Sequence, residues 1–468
     1  MNGALQARLD RYAPPLFTAA AGILGGAAIA RVGWLLAALF AVLSFVLVWP
    51  VQTSLGMLAA TVPFDDVSAL SATGRGLTLT FLIGVGCMVV LACLGLMAHR
   101  LSLPGPEVVR LLAFLVWAAC SVWWAHDPSA SLARMPTMAS LYLLYVIVSC
   151  LKITDGEFQA VGRFTIAGGF AAALLAISGS SGSDRASLTI LNRATDPNVF
   201  AASLLLPLSL ALGEVISARK RLHSIFAAGI SAAILFAIFT TISRGALVAV
   251  VVMIAVYVRR LRWKWPVAAG LIVAYCSLFV LPHTFTSRIQ EATTTGGAGR
   301  LYIWQAGLNA FEHYSLQGAG LENFEVVYQY FAGAGKRFTG IHRDAHNIYL
   351  QVAVELGAVG LALFLWALHG QFKRFRQVYR ASQGLLQTRL IACEAAFWSM
   401  LAAAFFLNLL WKKPLWLCFI LLALATKLGA RRIAWQFKAA ARLDQPAQPQ
   451  THAAQLQGTG TKLEHVHC

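Results

Sequence analysis

Long apolar runs, separated by short polar or basic interruptions, occupy most of the chain. They lie near 16–30, 34–49, 77–97, 107–124, 136–151, 158–178, 199–217, 222–241, 245–258, 265–282, 347–369, 390–410 and 414–428. Several match the ~20 residues that an α-helix needs to cross a bilayer. Alternating ten-residue patterns are absent, which argues against a membrane β-barrel. The pattern predicts an all-α polytopic integral membrane protein. Arg31 and Gly33 interrupt the first apolar stretch, leaving one broken span or two short ones. The expected count is about 12 transmembrane helices, or 13 if both short spans cross. One polar segment, 283–346, is long. Within it Thr293-Thr294-Thr295-Gly296-Gly297-Ala298-Gly299 reads as a turn, while Leu301, Trp304, Leu308 and Phe311 recur at helical spacing. The expected organisation is transmembrane helices over 1–282, a helical cap loop over 283–346 and transmembrane helices over 347–430. A tail over 431–468, turning to Ala, Gln, Pro, Gly and His, reads as disordered.

Composition agrees with a membrane protein. The chain is 58% hydrophobic and 12% charged, against about 25% charged for soluble chains, and its mean hydropathy is +0.68. Residues 1–15 carry Arg8, Asp10 and Arg11 without a convincing cleavage site, so the first apolar stretch reads as a retained span. The net charge of +18 matters less than its placement. Arg219-Lys220-Arg221, Arg259 to Lys264, Lys373 to Arg380 and Lys427 to Arg432 lie between or just after spans. The positive-inside rule puts these clusters, and the tail, on the cytoplasmic side. Residues 193–198, Ser243-Arg244-Gly245 and the long polar segment then face outward. Nucleic-acid binding is excluded, because the basic residues lack interleaved aromatics in a soluble domain. The eight cysteines form no CxxC pair and avoid the polar segment, which argues against a disulfide framework or a cysteine zinc site.

The outward segment holds five Lys/Arg (Arg288, Arg300, Lys336, Arg337, Arg343) and five Asp/Glu. It is not a generic basic patch, so an anion site there needs placed residues. It ends in His342-Arg343-Asp344-Ala345-His346-Asn347, crowded against an apolar helix that starts near Asn347. Polar groups at such a boundary are costly to desolvate and commonly functional. Arg244, Arg300 and Arg193 stand at the outer surface by the same topology. Their guanidinium forks suit phosphate oxygens and stay charged; interfacial snorkelling is the plainer reading. Asp196 could pair with Arg193, and Asp196-Pro197-Asn198 also has the form of a helix start. His346 suits a general base, since a neutral imidazole is available near pH 7; a helix-capping histidine is the alternative. His342 and His346 are spaced for one helix face, but the remainder of a zinc motif is missing. Asp65 with Asp66, and His126-Asp127-Pro128, read as loop turns before a metal site. No metal or other cofactor is expected.

Several pieces fall in a set order between about residues 190 and 370. They are Asp196-Pro197-Asn198, Ser243-Arg244-Gly245, Arg300 with Trp304, Gly318-Ala319-Gly320-Leu321-Glu322-Asn323-Phe324, His346-Asn347-Ile348-Tyr349-Leu350 and Glu355-Leu356-Gly357. The ordered set resembles the O-antigen ligase and polymerase family of bacterial envelopes. The resemblance implies a multi-pass protein of the bacterial inner membrane with its active site facing the periplasm. It implies metal-independent, inverting transfer of an O-antigen glycan from undecaprenyl diphosphate to a sugar hydroxyl of lipid A–core. Arg244 and Arg300 would hold the diphosphate and His346 would activate the acceptor. Arg193 is a further candidate for the diphosphate, and His342, Arg343, Asn347, Asp196, Asn198, Lys336 and Arg337 are candidate supporting residues. Whether His342 or His346 is the base stays open. An O-antigen polymerase, a protein O-oligosaccharyltransferase and, from another class, a lipid-linked glycan transporter are the alternatives. A transporter would show internal repeats and charges near mid-membrane.

Overall fold

A computed structural model of the chain describes residues 48–68, 78–179, 185–190, 193–261, 299–333 and 343–443. The runs at 16–30 and 265–282, most of 34–49, and His342, Lys336 and Arg337 lie outside the described residues. The helices are α1 (Pro50–Thr61), α2 (Leu79–Met97), α3 (Pro106–Cys120), α4 (Pro128–Cys150), α5 (Asp155–Gly179), α6 (Pro197–Ser203), α7 (Leu205–Ser217), α8 (Arg221–Thr240) and α9 (Arg244–Arg260). The cap contributes α10 (Arg300–His313) and α11 (Phe324–Phe331), and α12 (Ile348–Arg380), α13 (Gly384–Ala404) and α14 (Lys413–Leu443) follow. A two-residue hairpin, β1 (Thr189–Ile190) with β2 (Arg193–Ala194), is antiparallel. Among the described residues, eight helices or helix pairs are long and apolar enough to cross a membrane. The fold is an all-α polytopic membrane bundle.

Each apolar run read within the described residues coincides with a helix, but several boundaries moved. The run expected at 136–151 begins earlier, at Pro128. Asp127 caps it by accepting from the Ser129 and Ala130 amides at 2.9 and 3.3 Å, and Pro136 sits inside the helix. Pro at the first helical position is preorganised, and a membrane helix tolerates an interior proline when neighbours re-satisfy the backbone. Helix α1 was not expected. It is short, starts on Pro50 and packs against α5, where Gly168 lets the backbones touch: a Cβ there would lie 2.2 Å from the Ala60 carbonyl oxygen. Helices α7 and α14 are the most enclosed, whereas α2 and α8 present most of their apolar surface outward, as lipid-facing helices do.

Helix α12 is not continuous. Gly357 has φ 68° and ψ −171°, a conformation essentially limited to glycine. The break frees backbone groups in an apolar setting, where each needs a partner. The loop after α10 supplies them. The Ala319 and Gly320 amides donate to the Val354 and Glu355 carbonyls at 2.9 and 2.8 Å. The Ala358 and Val359 amides donate to the Ser315 and Leu316 carbonyls at 2.7 and 3.3 Å. Trp117 donates its indole N–H to the Leu356 carbonyl at 2.9 Å. Gly318 (φ 78°) permits the approach, since a Cβ there would lie 2.3 Å from the Glu355 carbonyl carbon. The glycine pair of one motif and the single glycine of the other are thus two halves of one joint. Buried Asn323 locks the loop to the start of α4: it donates to the Leu321 and Asp127 carbonyls and to Ser131 Oγ, and accepts from the Asp127 amide. Above the joint the cap has its own core of Ile303, Ala306, Phe324, Val327 and Tyr328.

Candidate active site

Helices α6, α9, α10 and α12 all begin on the face that carries the cap. Asp196 opens α6 by accepting from the Asn198 and Val199 amides at 2.8 and 3.1 Å, so the helix-start reading of this motif holds. Arg244 is the first residue of α9, exposed, between buried Ser243 and Gly245. Gly245 makes room for the α13–α14 loop: a Cβ there would stand 2.9 Å from Phe406 Cβ. Arg300 is the first residue of α10, after left-handed Gly299. A cation at a helix N-terminus opposes the helix dipole and costs stability. Two arginines at first-turn positions therefore need a compensating anion, and helix N-termini attract one.

Arg185 completes the cluster. Its Nε donates to the Thr241 carbonyl at 2.9 Å and its Nη2 to Asn198 Oδ1 at 2.8 Å, tying the start of α6 to the α8–α9 turn. Burial draws the Arg300 guanidinium below its ordinary pKa, Arg244 adds to this, Asp196 opposes it and Arg185 adds again. An arginine stays protonated, so the direction reports its burial first and the neighbouring charges of Arg244, Asp196 and Arg185 after it.

His346 stands at the same place, one residue before the cap of α12. Burial, then Arg300, pushes its imidazole below the ordinary value, while Asp344 and Asp196 pull the other way and Arg343 adds to the lowering. The lowering favours the neutral imidazole. The capping role falls to Asn347, which accepts from the Tyr349 and Leu350 amides at 3.0 and 3.2 Å. His346 has φ 47°, and Ile242, just before Ser243-Arg244, has φ 53°. Left-handed backbone outside glycine is a strained state that gathers at functional sites, and a β-branched residue there is a clear outlier. The segment is held by Trp304, whose indole N–H donates to the Ala345 carbonyl at 3.0 Å, one turn beyond Arg300. The Trp304 ring meets Phe405 edge-on at 5.6 Å, and Asn408 Nδ2 donates to Asp344 Oδ1 at 3.4 Å.

The structure thus gathers Arg244, Arg300, Asp196, Asn198 and His346, with Asn347 as a cap and Arg343 beside them. Arg193 lies on β2, next to Thr195 and Asp196. Two contributors escaped the sequence reading. Arg185 hides in a Ser/Gly/Asp stretch without periodicity, and Asn408 sits in a loop with no motif. Asp65 and Asp66 face lysines: Lys413 Nζ is 2.5 Å from Asp65 and Lys412 Nζ is 3.5 Å from Asp66. Asp127 is a helix cap and His126 lies against Tyr314, with ring centroids 5.0 Å apart. Among the described residues no group of three or more His, Cys, Asp or Glu could hold a metal ion.

No curated protein matches the chain. Residues 229–365, which carry Arg244, Arg300, Trp304, the Gly318–Gly357 joint and His346, match the family model described as O-antigen ligase. Over this segment the chain is similar to the O-antigen ligase family.

Proposed function

We propose that the protein transfers an O-antigen glycan from undecaprenyl diphosphate to a sugar hydroxyl of lipid A–core, at the periplasmic face of the bacterial inner membrane. The observation that carries this reading is the gathering of Arg185 and Arg244 about Arg300, with His346 on the other side of Arg300. In the proposed mechanism the guanidinium groups hold the donor diphosphate. His346 takes the proton from the acceptor hydroxyl as its oxygen attacks the anomeric carbon. The bond from that carbon to the phosphate oxygen breaks on the opposite side, so configuration inverts. Charge develops on the departing diphosphate, where preorganised cations lower the barrier. The imidazolium formed is stabilised by Asp344 and Asp196. A diphosphate leaves without a general acid, and the arginines supply charge where a metal otherwise would.

The test is a transfer reaction with purified protein, undecaprenyl-diphosphate-linked glycan and lipid A–core, in the presence of EDTA. A glycosylated lipid A–core product supports the reading. Longer glycan on the prenyl carrier instead would make the protein a polymerase. Both substrates intact would turn attention to a protein acceptor or to transport.

A further inference from the structure

On the face opposite the arginine cluster, the start of α5, the end of α7 and the start of α13 surround an open cleft. Its polar lining is Gln159, Glu214, Ser217 and Arg389, and its walls include Phe158, Ile166 and Leu210. Gln159 lies four residues into α5, Arg389 five residues into α13, and Glu214 three residues before the end of α7. At 1.5 Å per residue these groups sit within about 8 Å of their helix ends, the depth at which lipid headgroups meet acyl chains.

Both charges are only loosely engaged. Arg389 is largely enclosed, its side chain 16% exposed, and its carboxylate neighbour is Asp155 at 3.4 Å, itself 56% exposed. Glu214 stands 3.3 Å from a ring nitrogen of His223, a residue charged only when protonated. The cleft is kept open by small residues: a Cβ on Gly162 would meet nothing within 4 Å. A cation and an anion thus share one cleft at headgroup depth, beside an apolar wall.

We propose that this cleft binds the headgroup of a zwitterionic aminophospholipid such as phosphatidylethanolamine, with Arg389 on the phosphate and Glu214 on the ammonium. An anionic headgroup without an amine would set a phosphate near Glu214 and bring no cation to the carboxylate. A choline headgroup carries no N–H to donate to Glu214. The acyl chains would run along Phe158 and Leu210.

The experiment uses the full chain in lipid nanodiscs of phosphatidylcholine alone, with added phosphatidylethanolamine, or with added phosphatidylglycerol. Retained lipid is read by native mass spectrometry, and the unfolding midpoint is read in parallel, since a ligand of the folded state raises it. Phosphatidylethanolamine should be retained and should raise the midpoint above the other two mixtures. Arg389→Ala and Glu214→Gln should each weaken its retention about 10- to 100-fold. Gly162→Leu, whose Cβ meets nothing within 4 Å, should fill the cleft and exclude the lipid while the protein stays folded. Equal retention of all three lipids, preference for phosphatidylglycerol, or undiminished retention by Glu214→Gln would each overturn the proposal. The comparison of lipids on the unaltered protein stands even if a variant fails to fold.

Discussion

Two sets of arginines, one on each face of the bundle, stand in opposite settings. Away from the cap three are matched closely to carboxylates. Arg260 meets Glu394 at 2.6 Å and lies 4.1 Å from the Tyr379 ring centroid, Arg100 meets Glu157 at 2.5 Å, and Arg374 meets Glu107 at 2.7 Å. On the cap face Arg244 and Arg300 sit at helix N-termini, near each other and near Arg185, with Asp196 as a counter-charge. The first arrangement holds helices together. The second lowers stability unless an anion arrives, which is what a binding site for a diphosphate requires. The same side chain therefore reads as structure or as function from the sign of its neighbours, and not from its burial.

The sharpest way to break this contrast is to remove the groups proposed for chemistry. His346→Ala should lower transfer by about 10²- to 10⁴-fold, the usual contribution of a positioned base. Arg300→Ala should lower it by about 10²- to 10³-fold. Both should leave the unfolding midpoint unchanged or, for Arg300, raised, because a cation at a helix start is lost. Full ligation by a stably expressed His346→Ala protein would remove the base assignment.

On the opposite face the expectation inverts. Arg260→Ala strands Glu394, whose side chain is 3% exposed, and breaking such a pair costs about 3–5 kcal/mol. The unfolding midpoint should fall steeply while protein that remains folded keeps its transfer rate. Replacing both partners with apolar residues should recover most of the loss, since buried pairs can be exchanged for packing. A variant that keeps its stability yet loses transfer would dissolve the distinction.

Between the two faces lies the joint at Gly357. Gly357→Ala forces an L-residue into a glycine-only conformation and sets its Cβ 2.1 Å from the Leu316 carbonyl oxygen. The strain alone is about 1–3 kcal/mol. Because this loop carries the cap, transfer should fall together with stability, measured as residual rate against unfolding midpoint. A loss of stability with an unchanged rate in the folded fraction would show that the joint does not position the cap.

Much of this was legible from the residues, for a physical reason in each case. Apolar runs mark helices because bilayer burial demands them, and Asp196-Pro197 marks a helix start because its geometry is local. Arg244, Arg300 and His346 were visible as costly polar groups beside apolar spans. Arg185 was not, because a polar stretch carries no period and its partners are remote in the chain. The break in α12 was also hidden. Glu355-Leu356-Gly357 was noticed, but a glycine within an apolar run does not reveal its φ. Nor does the apolar run at 136–151 reveal that Asp127, nine residues before Pro136, caps the helix.

The finest test concerns the sign of small shifts. His346 is held below its ordinary pKa by burial and Arg300, with Asp344 pulling upward. If its neutral form is the base, kcat/KM falls as pH drops through that lowered pKa, below the ordinary value of about 6.5. Arg300→Gln removes a repelling charge, so the residual activity should lose its acid limb at higher pH. Asp344→Asn removes an attracting charge, so its acid limb should move lower. Each shift should be under about one pH unit, with opposite directions at nearly unchanged stability. Movement in the same direction, or none, would assign the limb to another group and leave the arginines as binding residues only.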